Sequence, residues 1–344
     1  MSHGVTTAEA PLRSAQMIFQ LGAGYIASSA LQVALKLTIA DRLAPGPRTT
    51  AALASETGVR EDALYRVLRL LASVGLFQET EPRTFALTPA AELLRTGEPA
   101  SMHPMMLWMT DPFHFRAYAE TMYSVKTGEP AADVVTGKPV FEYLASEPEL
   151  SAIFNDAMTA FSSSVAPAAL KVYDFAGIEV LVDVAGGHGQ VLMSVLQAYP
   201  GMRGILFDVE HVIAGAKPRI AAAGLNARCE TATGDFFEAV PAGDAYIMKH
   251  IIHDWDDERA ISILKNIRAA MTNRNGRLIL LEAVIQPGNQ PDLMKFIDLE
   301  MLLLPGGRER TADEFGALFS QAGFSLSRVV PNESPLSVIE ARPQ

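Results

Sequence analysis

Val180-Leu181-Val182-Asp183-Val184-Ala185-Gly186-Gly187-His188-Gly189 is a short apolar run ending in an acidic, glycine-rich turn, and a helical stretch, Val191 to Tyr199, starts just after it. A continuous apolar run bounded by glycine reads as a strand buried on both faces. Further apolar runs lie at Gly204 to Phe207, Ala245 to Met248 and Leu278 to Leu281, separated by helical stretches at Glu210 to Ala223 and Glu258 to Met271. Alternating β and α units predict an α/β domain, a doubly wound Rossmann-like parallel sheet, over residues 166–344. Such sheets bind ligands at the carboxyl ends of their strands, so the turn after Val184 is where chemistry is expected.

Upstream, from Leu12 to about Phe161, apolar residues recur three and four apart, which predicts a mostly helical first domain over residues 1–165. Two domains suit a chain of 344 residues. Within the first, a short helix ending near Gly58, a second from Glu61 to Val74 stopping at Gly75, and a ribbon from Phe77 to Leu87 resemble a winged helix. Residues 1–100 carry nine Lys or Arg against nine Asp or Glu, so the basic face of a DNA reader is missing. The net charge of −11 likewise repels phosphate. A packing or dimerisation module is the expectation, with no nucleic-acid partner. Leu21 to Leu43 is the most apolar stretch, but Gln32, Lys36 and Asp41 interrupt it, so it is read as buried helix and not as a bilayer span. Cys229 stands alone and Met1 to Arg13 lacks a charged start followed by an apolar run, which fits a cytoplasmic protein with no membrane partner.

A nicotinamide fingerprint starting at Gly187 would need glycine at position 192, where the chain has Leu192. Asp183 puts a carboxylate beside the turn, where it would repel a pyrophosphate and attract an ammonium or sulfonium. S-adenosylmethionine carries both cations and suits the turn better than NAD. Asp208, nineteen residues past Gly189, ends the second strand where a carboxylate accepts hydrogen bonds from ribose hydroxyls. Gly234-Asp235-Phe236 follows a third candidate strand and offers a carboxylate and an aromatic edge for adenine.

Asp183 to Gly189, Phe207-Asp208-Val209 with His211-Val212, Gly234 to Phe237, Lys249 to Asp257 and Gly306 to Thr311 together resemble the caffeic acid, hydroxyneurosporene and acetylserotonin O-methyltransferase family. Leu64 to Phe77, Phe85 to Thr88 and Phe154 to Met158 extend the resemblance over nearly the whole chain. It implies a class I methyltransferase domain behind a dimerisation domain, a homodimer formed through N-terminal helices such as Leu31 to Leu43, and S-adenosylmethionine held by Gly187, Asp208, Asp235, Phe236 and Lys249. Asp183 and Gly186 complete the expected donor site. Two positions depart from the family: Ala185 stands where glycine is usual, and Glu210 where proline often follows.

Methylating a hydroxyl needs a base near the acceptor oxygen and a methyl group in line with it, and no metal is intrinsically required. His253, just past the fourth strand, is the expected base: an imidazole with a pKa near 6.5 accepts the proton as a phenol near 10 attacks. The resemblance implies that Glu282 and Glu309 flank and orient it. For each glutamate alone, a salt bridge to Arg308 or Arg310 is the plainer reading. His250 and His253, three apart, could form a metal pair, but no third ligand stands at a diagnostic spacing and no metal is expected. By family position Met158 and Met301 are acceptor contacts, with Trp108 and Asp254 beside them. The other methionines and aromatics of the middle region are read as core, and His188 as a turn residue. The expected acceptor is a small aromatic hydroxyl. N-methylation, a polyketide-tailoring hydroxylation or decarboxylation, and a non-catalytic winged-helix regulator remain open.

Overall fold

The computed structural model describes residues 9–98 and 100–344. The chain divides into two compact units between His114 and Phe115.

In the first unit a long helix, Glu9–Lys36, precedes a winged-helix arrangement. β1 (Arg48–Thr49), helices Thr50–Thr57 and Glu61–Ser73, β2 (Phe77–Glu81) and β3 (Thr84–Leu87) follow in order, with the strands paired β1-β3-β2. Thr49 starts the first of these helices by accepting a hydrogen bond from Ala52 N at 3.2 Å. Leu53, Leu64, Leu68, Leu71, Phe77 and Phe85 form the core beneath them. The expected burial of the apolar stretch at 21–43 holds only at its end, where Ala34, Leu35, Ile39 and Leu43 are buried. Met17, Ile18, Phe19, Leu21, Tyr25 and Ile26 are 48–74% exposed, because nothing among the described residues of this unit covers that half of the helix. By length and composition alone, Arg13–Lys36 is apolar enough to cross a membrane.

The second unit opens with helices that end in the long Pro148–Val172. The central sheet then runs through β4 (Val180–Val184), β5 (Arg203–Asp208), β6 (Cys229–Thr233), β7 (Ala245–Lys249), β8 (Arg277–Glu282), β9 (Phe324–Val330) and β10 (Ser337–Pro343), in the order β6-β5-β4-β7-β8-β10-β9. Strand alternation splits the core in two. Leu181, Ile247, Ile279 and Leu281 face one layer, while Val182, Val184, Tyr246, Met248, Leu278 and Leu280 face the other. Helices cover both faces, which is why these strands read as unbroken apolar runs.

The sheet is mixed, where an all-parallel one was expected. β4 to β8 pair in parallel, but β10 lies antiparallel between β8 and β9. The short connection 331–336 is the cause, since a parallel return would need a full crossover. Strand order reverses between β4 and β7, and the turn after β4 therefore opens at the switch point where doubly wound sheets take ligands.

The loop after Leu303 is anchored at its far end by helix Ala312–Gln321, whose start is a capping box. Thr311 Oγ1 accepts from Glu314 N at 3.3 Å, and Glu314 Oε2 accepts from Thr311 N at 2.8 Å. Thr311→Ala removes half of that reciprocal pair and should lower stability by about 1 kcal/mol, read as a lower urea midpoint at unchanged slope.

Candidate active site

A cavity of about 520 Å³ lies at the carboxyl ends of β4, β5 and β7. Its walls include all seven expected donor-site residues, Asp183, Gly186, Gly187, Asp208, Asp235, Phe236 and Lys249, together with Met158 and Asp254. The turn after β4 is held from outside by Asp208, whose Oδ2 accepts from Gly187 N at 2.8 Å and whose Oδ1 accepts from Val209 N at 2.7 Å. Each oxygen keeps acceptor capacity toward the cavity. Ala185 has φ 55, a left-handed conformation that costs a residue with a Cβ about 1–2 kcal/mol. That is the physical content of the family's glycine at this position. A Cβ on Gly186 would stand 2.6 Å from the Asp183 carboxyl carbon, so the turn packs directly on that acid. Asp183 is buried, and its Oδ2 has no hydrogen-bond partner among the described residues. Burial, followed by the charge of Asp208, pushes its pKa up to about 7.

Beside the turn, Phe236, Phe237 and Trp255 form an edge-to-face cluster with ring centroids 4.8–5.9 Å apart. All three line the cavity. Sequence reasoning assigned a site role to Phe236 alone.

His253 sits on a short turn, Ile252–Asp254, after β7. Its Nδ1 lies 2.8 Å from Glu309 Oε1, and its Nε2 lies 3.4 Å from Asp254 Oδ1. Glu282 does not reach the ring: its Oε1 accepts from the backbone of Ile251 at 3.0 Å and of Ile252 at 2.9 Å. His253, Glu282 and Glu309 are all buried and stand behind the cavity wall, which His250, Ile251 and Asp254 line. The plainer reading of the glutamates fails, because Arg308 pairs with Glu314 and Arg310 with Asp257. The expected imidazole pKa near 6.5 is also corrected. Burial lowers it, but Asp254, Glu282 and Glu309 together outweigh burial and raise it to about 9. Burial in turn raises Glu282 to about 7 and Asp254 to about 6, and lowers Lys249 to about 8.

His250 is held well below its ordinary pKa by burial and by the nearby His253 and Lys249, so it stays neutral. The late loop supplies the third group that sequence spacing lacked: ligating atoms of His250, His253 and Glu309 lie within 4.8 Å of one another. The two imidazoles, however, lie one over the other, with centroids 4.2 Å apart and planes at 32°.

The 306–311 loop clamps the histidine turn. Arg308 N donates to His253 O at 2.8 Å, and buried Arg310 donates to Ile252 O at 3.0 Å, Trp255 O at 2.8 Å and Asp257 Oδ1 at 2.8 Å. Gly307 allows the approach: a Cβ there would overlap the His253 carbonyl oxygen and the Asp254 carbonyl carbon. Neither clamp residue was singled out by role from sequence, although Gly-Gly-Arg-Glu-Arg lay inside a quoted motif.

Met301 is buried in helix Met294–Leu303 and does not line the cavity, and Trp108 is buried in the first unit against Phe113 and His114. Ser151, Asn155 and Thr159 line the cavity instead, beside Phe154 and Met158. Their spacing of four, which puts them on one face of the helix, was the available signal.

A Rossmann-like sheet whose switch point carries an acidic, cation-seeking turn beside a buried histidine–carboxylate pair defines a class I methyltransferase. An O-methyltransferase domain profile matches residues 118–325 and an O-methyltransferase dimerisation domain profile matches residues 19–97. The chain is 45% identical over 334 residues to phenazine O-methyltransferase of Lysobacter antibioticus, covering 97% of each. It is 36% identical to an 8-amino-8-demethylriboflavin N,N-dimethyltransferase of Streptomyces davaonensis, over 96% of this chain and 95% of that one. A neocarzinostatin-biosynthesis O-methyltransferase solved with S-adenosylmethionine and 2-hydroxy-5-methyl naphthoic acid superposes with a TM-score of 0.79 at 34% identity, covering 92% of this chain and 96% of that one. The chain belongs to the S-adenosylmethionine-dependent O-methyltransferase family. Because Gly307 sets the position of His253, Gly307→Ala should lower turnover by about 10²-fold, the scale of an ångström-sized misplacement, while calorimetry shows donor binding retained.

Proposed function

We propose that this enzyme methylates a phenolic hydroxyl on a planar aromatic acceptor, with His253 as general base and without a metal. The observation that carries this reading is the 2.8 Å contact of His253 Nδ1 with buried Glu309, which fixes the tautomer and leaves Nε2 to take a proton. The residues around the cavity fit S-adenosylmethionine. Asp183 has a buried, unpartnered carboxylate oxygen for its cationic end, Asp208 keeps acceptor capacity for the ribose, and Phe236 and Trp255 offer aromatic surface for the adenine. When bound, the donor supplies an electrophilic methyl group on a positively charged sulfur. His253 takes the phenolic proton as attack proceeds, and Glu309, with Asp254 and Glu282 nearby, stabilises the imidazolium that forms. Positioning does more than the base: it supplies ~7–11 kcal/mol of the barrier, against a factor of about 10² to 10⁴ from proton transfer. Relatives named for phenazine, riboflavin and naphthoate compounds support a fused-ring acceptor.

N-methylation is the second reading, favoured by the riboflavin relative named as a dimethyltransferase. A neutral amine attacks without a base, so His253 separates the two. His253→Ala should bind S-adenosylmethionine normally and lose about 10² to 10⁴ in turnover on phenols, most for the least acidic. With both substrates limiting, the pH optimum should lie between about 9 and the acceptor's own pKa, because neutral His253 with phenol and imidazolium with phenolate hold the same number of protons. The limb near pH 9 should vanish in His253→Ala. Persistence of that limb, equal losses for every acceptor, or activity abolished by EDTA and restored by a divalent metal would each refute the assignment.

The exposed apolar half of Glu9–Lys36 lies largely within the residues matched by the dimerisation profile, which supports a second copy of this chain as its cover. Phe19→Glu with Leu21→Glu should shift sedimentation from dimer to monomer. An unchanged dimer in that variant would place the interface on another surface.

A further inference from the structure

The glycine turn and helix Pro148–Val172 form two walls of the cavity, and a side-chain hydrogen bond joins them. His188 Nδ1 lies 3.0 Å from Thr159 Oγ1. Thr159 has one hydroxyl proton and gives it to the Asn155 carbonyl at 2.8 Å, so its oxygen accepts and His188 Nδ1–H donates. The ring is seated from a third side as well. A Cβ on Gly215, in helix Glu210–Ala222, would stand 2.8 Å from His188 Nε2, so glycine there makes room for the imidazole. A second tie between the two helices, Arg219 to Asp156 at 3.7 Å, is exposed and contributes little. His188 is therefore more than a turn residue.

The path continues beyond Thr159. Asn155 takes the threonine proton on its carbonyl, and its side-chain amide lies 3.5 Å from Ser151 Oγ. Ser151, Asn155 and Thr159 are the polar stripe of the helical wall, and the turn at the other end is fixed to Asp208 through Gly187. We propose that His188 is a positioning residue that couples the donor turn to the helical wall, so that filling the donor site orders the 151–162 face and raises affinity for the acceptor. This rests on the donor and acceptor assignments made above. The coupling is reciprocal, so a bound acceptor tightens donor binding by the same factor.

Hydrogen exchange with S-adenosylhomocysteine tests the coupling without any acceptor. In the wild type the nucleoside should protect amides of both 186–193 and 151–162; in His188→Ala the first protection should remain and the second disappear. With the phenol of highest turnover, His188→Ala and Thr159→Val should each raise the acceptor KM by about 3- to 10-fold, the worth of one hydrogen bond. The double variant should be no worse than either single change, because both remove the same contact. His188→Asn, which can put an amide nitrogen near the place of Nδ1, should restore the acceptor KM. Protection of 151–162 that survives in His188→Ala, or additive effects in the double variant, overturns the coupling. If the nucleoside leaves 186–193 unprotected in the wild type, the donor assignment fails and the coupling with it.

Discussion

Burying the His253 imidazole beside the Glu309 carboxylate at 2.8 Å is the constraint around which the catalytic unit is arranged. A buried ion pair is costly unless its remaining polar groups and its geometry are fixed by neighbours. Here the neighbours act on the backbone. Glu282 accepts from two successive amides, Arg310 donates to two carbonyls of the same turn, and Gly307 brings a second loop against it. The ring is thus held by contacts that leave Nε2 out of any strong pairing, its nearest acid being Asp254 at 3.4 Å. Helix Ala312–Gln321 enters the same arrangement, since its capping box fixes the residue directly after Arg310.

The same density of carboxylates extends to the cavity, which Asp183, Asp254 and Lys249 line. Asp183, Asp254 and Glu282 are all pushed upward chiefly by burial, while Lys249 is pushed down. Such a site holds protons near neutrality that a bound cation can displace. A positively charged ligand at this place would favour the ionised form of Asp183. His253 responds oppositely: carboxylates outweigh its desolvation and make it a stronger base than free imidazole. In the proposed role of base, a raised pKa lies nearer to that of a phenol, which would reduce the uphill part of proton transfer.

Much of the catalytic unit was legible because strand ends carry short motifs. Asp183 to Gly189, Asp208 and Gly234 to Phe236 each stand at the end of an apolar run, and the sheet brings those ends to one edge. The β9–β10 hairpin was missed although Phe324, Leu326 and Arg328 alternate with serines, because a βα rhythm invites a parallel continuation. Met301 was assigned by position in a family; it is buried in its helix, and its carbonyl accepts from Gly306 and Gly307 of the loop packed on the histidine turn. Arg310 and Gly307 act on backbone atoms of residues about fifty positions away, and no local pattern encodes such a contact. The raised pKa of His253 depends on three carboxylates from separate segments and was equally hidden.

Donor and acceptor walls differ in how they are built, and that difference accounts for the range of chemistry among relatives. Donor contacts come from strand ends rooted in a sheet packed on both faces, where a shift of one residue disturbs two core layers. The opposite wall is one face of helix Pro148–Val172 and the short helix Val140–Ser146 before it, where Ser151, Asn155, Met158 and Thr159 line the cavity from outside the sheet. Substitution on that face leaves the sheet intact, whereas substitution at Asp208 removes the hydrogen bond that holds the glycine turn. A phenazine O-methyltransferase and a riboflavin-type N,N-dimethyltransferase can therefore both resemble this chain along nearly its whole length. What their names have in common is a transferred methyl group, and what divides them is whether an oxygen or a nitrogen receives it.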